Sequence, residues 1–146
     1  MNQQLNEASY RWLNVPRWYL WDGGFLLIGQ AKGVVPAHSH HAIQIVISLD
    51  EPFAICGHQE DWRQGHGLVV RPDAVHSFDC NGAFGAMLFV DPESSEGVWL
   101  QTLLGHDITI VPEEGLPHPF RNFERLPNNP SPAWKSVRSS AIVCMP

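Results

Sequence analysis

The stretch Ala42–Leu49 alternates with a period of two and carries no charge on either side. Ile43, Ile45, Ile47 and Leu49 share one face, and Ala42, Gln44, Val46 and Ser48 share the other. A period of two belongs to a β-strand. A strand with no charged face is covered on both sides, which requires a sandwich or barrel and not an open, water-facing sheet. The neighbouring sequence supplies partners at short intervals. Arg17–Trp21 ends at the turn Asp22-Gly23-Gly24, and Phe25–Gly29 follows it. Phe53–Cys56 returns after Asp50-Glu51-Pro52. Leu68–Val70 and Val75–Phe78 flank the turn Arg71–Ala74, and Phe84–Val90 is the last strong strand. Twelve glycines and twelve prolines in 146 residues suit many short strands, not a helical bundle.

The pattern changes at Asp91-Pro92. Ser94 or Ser95 is placed to cap a short helix near 95–104, and Ile108–Val111 reads as one more strand. The expected organisation is an N-terminal arm over 1–16, one β domain over 17–111 and a proline-rich tail over 112–146. In the tail Ser131-Pro132 offers an N-cap and a first-turn proline, so a short helix is expected over 132–142 with Trp134, Val137 and Ala141 on one face. The fold class expected is all-β, an antiparallel sandwich or barrel of jelly-roll type, followed by a short helix and the tail.

Several classes are excluded. A formal charge of −6 opposes a dedicated nucleic-acid binder, which must neutralise phosphates. The cysteines Cys56, Cys80 and Cys144 form no CxxC, so neither a zinc ribbon nor a thioredoxin site is present. Their odd number and scatter argue against a disulfide framework and for a reduced, cytoplasmic setting. The first twenty residues hold no apolar signal core, and no stretch reads as a membrane span. No P-loop, dinucleotide fingerprint or nucleophile elbow occurs.

The chemistry concentrates around His38-Ser39-His40. His38, His40 and Gln44 share parity, so in an extended chain they point to one side. His76, after a later turn, is placed to return beside them. Three such imidazoles suit a facial site for Zn, Fe, Ni, Cu or Mn; a polar pocket lined by neutral histidines uses the same residues. Cys80, four residues after His76, is either a soft ligand or a buried inert thiol. Trp12, Trp18 and Trp21 read as a core or edge aromatic cluster before they read as a stacking platform.

Two spaced motifs carry a resemblance. Gly33-(four residues)-His38-Ser39-His40-(three residues)-Gln44 resembles the first cupin motif. Gly65-(five residues)-Arg71-Pro72-Asp73-Ala74-Val75-His76 resembles the second. The resemblance implies metal ligation by His38, His40 and His76. Gln44 stands at the position of the usual Glu, so one negative charge is lost and a divalent transition metal is expected to bind weakly. Glu51 and Asp73 stand where motif glycines are usual.

Residues 17–105 are also similar to the N-terminal effector-binding and dimerisation domain of AraC-type transcription regulators. The matching pieces are Trp18-Tyr19-Leu20-Trp21, Pro36-Ala37-His38-Ser39-His40-His41-Ala42-Ile43-Gln44, Ser48-Leu49-Asp50-Glu51-Pro52-Phe53, Arg71–His76 and Leu88–Ser94. That resemblance implies a small-molecule sensor whose DNA-reading helix-turn-helix pair lies elsewhere. Residues 117–146 are too few and too proline-rich to supply that pair. The expected pocket is lined by His38, His40, Gln44, Val46, His76 and Phe78, with Leu88 joining. The expected ligand is a small oxygenated molecule. Two alternatives stand beside this reading: a metal-dependent cupin enzyme of dioxygenase or isomerase type, and a pure dimerisation module. The expected partners are a second copy of the chain, with no membrane and no specific nucleic acid. The Ile43, Ile45, Ile47, Leu49 face is the expected dimer surface.

Overall fold

The computed structural model describes residues 10–116. Two antiparallel sheets face each other. The larger has seven strands: β1 (Arg11–Trp12), β2 (Arg17–Trp21), β3 (Gly24–Lys32), β5 (Ile43–Ser48), β8 (Gly67–Val70), β10 (Phe84–Val90) and β11 (Ile108–Ile110). Its order is β1-β3-β10-β5-β8-β11, with β2 also on β3. The smaller sheet has the order β4 (Val34–His38), β9 (His76–Asp79), β6 (Phe53–Gly57), β7 (Arg63–Gly65). This is an all-β antiparallel sandwich, as the spacing of strands and turns predicts. Within the segment read as an N-terminal arm, β1 pairs with Ala31 and Lys32. The expected helix over 132–142 lies outside the described residues.

Register sorts the side chains. Across the large sheet Val46 lies opposite Met87 and Leu68, and Met87 lies opposite Leu27. These residues face the small sheet, whose Phe53, Ile55 and Phe78 meet them in one buried cluster with Val70, Cys80 and Ile108. β4 carries a bulge between Val35 and His38, and it is an edge strand, where Pro36 costs no ladder hydrogen bond. The chain crosses from one sheet to the other at Gly33, whose φ of +103° is open to glycine and disfavoured for other residues. At Gly85 a Cβ would collide with the Ile47 carbonyl of the neighbouring strand and lie 2.9 Å from the Phe53 ring of the facing sheet.

A nine-residue helix, α1 (Ser95–Leu103), follows β10. Ser94 is its N-cap, its side chain accepting from the Gly97 N–H. Among the described residues no helix is long and apolar enough to cross a membrane.

Candidate functional site

His38 ends β4 and His76 begins β9, and the two lie directly opposite each other across the small sheet. His40 sits in the loop that carries the chain back to the large sheet, where Gln44 is the second residue of β5. The four side chains therefore meet where both sheets end. Ring centroids are 4.4 Å apart for His38 and His76, 5.1 Å for His40 and His76, and 5.7 Å for His38 and His40. One nitrogen from each ring lies within 4.8 Å of the other two.

The second nitrogens decide what the site presents. Nδ1 of His38 lies 2.7 Å from the Pro36 carbonyl oxygen, Nδ1 of His40 lies 3.0 Å from that of Ala42, and Nδ1 of His76 lies 2.9 Å from that of Ala74. A carbonyl only accepts, so each Nδ1 carries the proton and donates. In a neutral ring that leaves Nε2 with a free lone pair. Histidine ligands are commonly held for a metal in this way.

The Gln44 amide lies against two of those lone pairs, Oε1 being placed 2.9 Å from His40 Nε2 and 3.2 Å from His76 Nε2. An oxygen there would face two acceptors. Protonating both imidazoles would resolve that, but His76 is 1% exposed, and burial pushes its pKa below the ordinary value. A positive charge on His38 or His40 would push it the same way, against the Ala74 hydrogen bond. Turning the amide so that its NH2 faces the rings gives the His40 and His76 lone pairs one donor each. A glutamate has no such donors. Gln44 thus meets two of the three imidazoles without adding a charge.

The donor set also fits a metal. A tetrahedral ion about 2.0–2.1 Å from each nitrogen needs nitrogens roughly 3.4 Å apart, a small closure of the arrangement found. Three neutral imidazoles suit Zn, Cu, Ni or Fe. Among the described residues no carboxylate or thiol joins this group.

Val46 and Phe78 lie two residues inward of Gln44 and His76 and are buried in the core, so they floor the site. Leu88 is placed otherwise. It lies opposite Ile45 and Leu26, on the outer face of the large sheet. The side chain that shares Gln44's face is Phe89, directly across from it. Phe89 meets His40 edge-on at 5.4 Å and stacks on Phe25 at 4.5 Å, and Phe25 stacks on Trp18 at 5.9 Å. These three rings form the apolar wall beside the histidines, a wall that depends on pairing register and leaves no local signal in the sequence. Trp12 sits instead against Tyr10, and Trp21 lies over Gly24.

The loop that presents His40 is pinned from two sides. His41 lies 3.1 Å from the Asp73 carboxylate and 2.8 Å from that of Glu93. Both carboxylates raise its pKa, Glu93 most. The Asp73 N–H also donates to the His40 carbonyl at 2.9 Å. Asp73 has φ +63°, a region Asp tolerates better than most residues. Cys80 is buried away from the histidines, and burial, with the Asp79 charge adding to it, pushes its thiol up to about 12. It lines an apolar cavity with Trp12, Leu27, Phe53 and Met87 that encloses about 10 Å³, room for one water. A small organic ligand has no space at that end, whereas His38 and His40 remain partly open.

No protein-family model and no curated protein matches this sequence. Solved structures are similar in part. A Neisseria meningitidis protein is 13% identical, with a TM-score of 0.46 over 57% of this chain and 89% of that one. A cupin superfamily protein from Desulfitobacterium hafniense is 12% identical, with a TM-score of 0.42 over 57% of this chain and 78% of that one. Bacillus subtilis oxalate decarboxylase is 12% identical, with a TM-score of 0.38 over 60% of this chain and 30% of that one. The fold class itself rests on this chain's own strand order: two facing antiparallel sheets, with His38, His40 and His76 meeting at one end.

Proposed function

We propose that this chain is a small-molecule-binding domain of the effector-sensing kind found in AraC-type regulators. In this reading the ligand is anchored by His38, His40, His76 and Gln44. The observation that carries the reading is the convergence of three imidazoles, two of them in contact with the Gln44 amide. Three imidazoles with carbonyl-held Nδ1 protons aim their lone pairs inward, and the Gln44 amide supplies donors to two of them, His40 and His76. A hydroxyl- or carboxyl-bearing ligand can enter by exchanging hydrogen bonds with this set, against the aromatic wall of Phe89, Phe25 and Trp18. Apolar walls with a few convergent polar groups are what such sites require. A cytoplasmic setting is part of the reading, in keeping with free thiols at Cys56 and Cys80.

The three converging imidazoles favour one second reading, a metal-dependent cupin enzyme. His38, His40 and His76 would hold a divalent transition ion, which when bound supplies Lewis-acid polarisation of an oxygenated substrate. The cluster contains no carboxylate to move a proton, which weighs toward binding without turnover.

A thermal-shift screen of small hydroxy acids, phenols and sugars, with and without EDTA, tests both readings. The expected hit stabilises the wild type, fails to stabilise His40→Ala, survives EDTA and is recovered unchanged by mass spectrometry. A hit that requires added Mn2+ or Fe2+ and is converted to product overturns the sensor reading in favour of the enzyme.

A further inference from the structure

We propose that the ligand of the histidine site is an uncharged phenol, whose hydroxyl donates to His38 Nε2 while its ring lies over Phe89 and Phe25. This rests on the small-molecule reading of the site and narrows it to one ligand class. Each of the three imidazoles donates from Nδ1 to a backbone carbonyl and keeps a lone pair on Nε2. The Gln44 amide lies against the lone pairs of His40 and His76. Among the described residues His38 Nε2 has no hydrogen-bond partner, and its ring is only partly buried. What this atom can take is a donor. A carboxylate offers none at neutral pH. It would also approach a loop in which His41 stands between the carboxylates of Asp73 and Glu93. That loop is negative whether or not His41 is protonated, so it repels an anion.

The pairing register runs one row of side chains across the inner face of the large sheet: Val70, Gln44, Phe89, Phe25, Leu20. Exposure rises along that order. Val70 and Gln44 are sealed, Phe89 and Phe25 are partly open, and Leu20, on the edge strand β2, is 61% exposed. Trp18, also on β2 and stacked on Phe25, is 46% exposed. None of these four apolar side chains belongs to the buried core cluster. From Gln44 to Leu20 is three strand spacings, roughly 14 Å, enough for one aromatic ring and its substituents. The row is thus an open apolar path from the sheet edge to the histidines. His40 marks where it meets them, edge-on to Phe89 and 5.7 Å from the His38 ring.

The rings along this path are close to parallel, Phe25 and Phe89 within 17° and Trp18 and Phe25 within 29°. Rings stacked on one another spend their faces on each other and offer their edges to whatever lies over the row. The edge is the positive part of the ring quadrupole, and its complement is the negative face of another aromatic ring. A sugar has no such face, and it brings several hydroxyls that an apolar row leaves unpaired. A phenol supplies both parts, a π face for the ring edges and a single O–H donor for His38.

NMR titration of the full chain, metal-free and near neutral pH, with four probes of matched size tests the proposal: p-cresol, 4-methylanisole, 4-methylbenzoate and 4-methylcyclohexanol. In the wild type p-cresol should bind at least tenfold more tightly than each of the others, moving the His38 Nε2 and Trp18 indole N–H signals. His38→Ala, at a partly exposed strand end, should keep a dispersed spectrum and lose the preference for p-cresol over 4-methylanisole. The wild-type comparison needs no variant. Equal binding of 4-methylanisole would overturn the donation to His38. Equal binding of 4-methylbenzoate or 4-methylcyclohexanol, with shifts at the same histidines, would overturn the phenol and leave the small-molecule reading standing. Histidine shifts with none of the four would also overturn the phenol, and the small-molecule reading falls with it only if the wider thermal-shift screen gives no hit.

Discussion

Replacing Gln44 by glutamate should convert a weak metal site into a strong one. Gln44 is 4% exposed, and its Oε1 lies 2.9 Å and 3.2 Å from two of the three imidazoles. A carboxylate there removes both amide donors and adds one negative charge within about 4 Å of any ion the histidines hold. At an effective dielectric of about 20 that separation is worth ~4 kcal/mol per pair of unit charges, or ~8 kcal/mol against a divalent ion. Desolvating the carboxylate takes back several kcal/mol. A net gain of about 3–4 kcal/mol remains, a tightening of roughly 10²–10³-fold. Competition against a chromophoric chelator, with Zn2+ and Co2+, reads this directly. Wild-type protein should carry well under one metal per chain after purification. A Gln44→Glu protein whose affinity lies within threefold of the wild type would refute the charge argument, and a stoichiometric ion surviving dialysis against chelator in the wild type would refute the weak site.

Three further outcomes follow from the packing and charge. Gly85→Ala should destabilise severely, by more than about 3 kcal/mol, because its methyl meets the Ile47 carbonyl and the Phe53 ring; urea melts check it, and an unchanged midpoint contradicts those contacts. Stability should fall as pH rises from about 9 toward 12, because Cys80 stays protonated in the fold and ionises in the unfolded chain. Tyr10, raised by burial and then by Cys80, adds to that loss; Cys80→Ala should flatten the alkaline slope, and an unchanged slope assigns it elsewhere. In a low-salt gel shift the chain alone should give no sequence-selective band, given its charge of −6; a selective band would overturn that.

The sandwich was legible because its central strands advertise themselves. β5 shows its period of two over consecutive residues, and turns separate its neighbours. β4 was not legible, since Gly33 and Pro36 read as punctuation. Only its place at a sheet edge, with a bulge before His38, makes a proline acceptable there. The parity of His38, His40 and Gln44 points to the right group for an incomplete reason. The three do not share a strand. The chain leaves the small sheet after His38 and enters the large one at Ile43, and the loop pinned by His41 brings His40 back. Leu88 and Phe89 differ by one residue, and that step decides which faces the site. Nothing local in Phe84–Val90 reveals it, because both faces are apolar. The contact of Gln44 with His40 and His76 was equally out of reach, since it depends on the backbone carbonyls that hold the Nδ1 protons.

Everything at the site turns on His38, His40 and His76 being neutral, protonated on Nδ1, with their Nε2 lone pairs aimed at one point. Long-range 1H–15N correlation spectra of the imidazole rings at pH 7.5 measure this. The prediction is three rings in the Nδ1–H form, assigned by His38→Ala, His40→Ala and His76→Ala, whose Nε2 signals alone move or broaden when Co2+ or Zn2+ is added. Rings in the Nε2–H form, or metal responses spread over His41, His58, His66 and His106 instead, would contradict it.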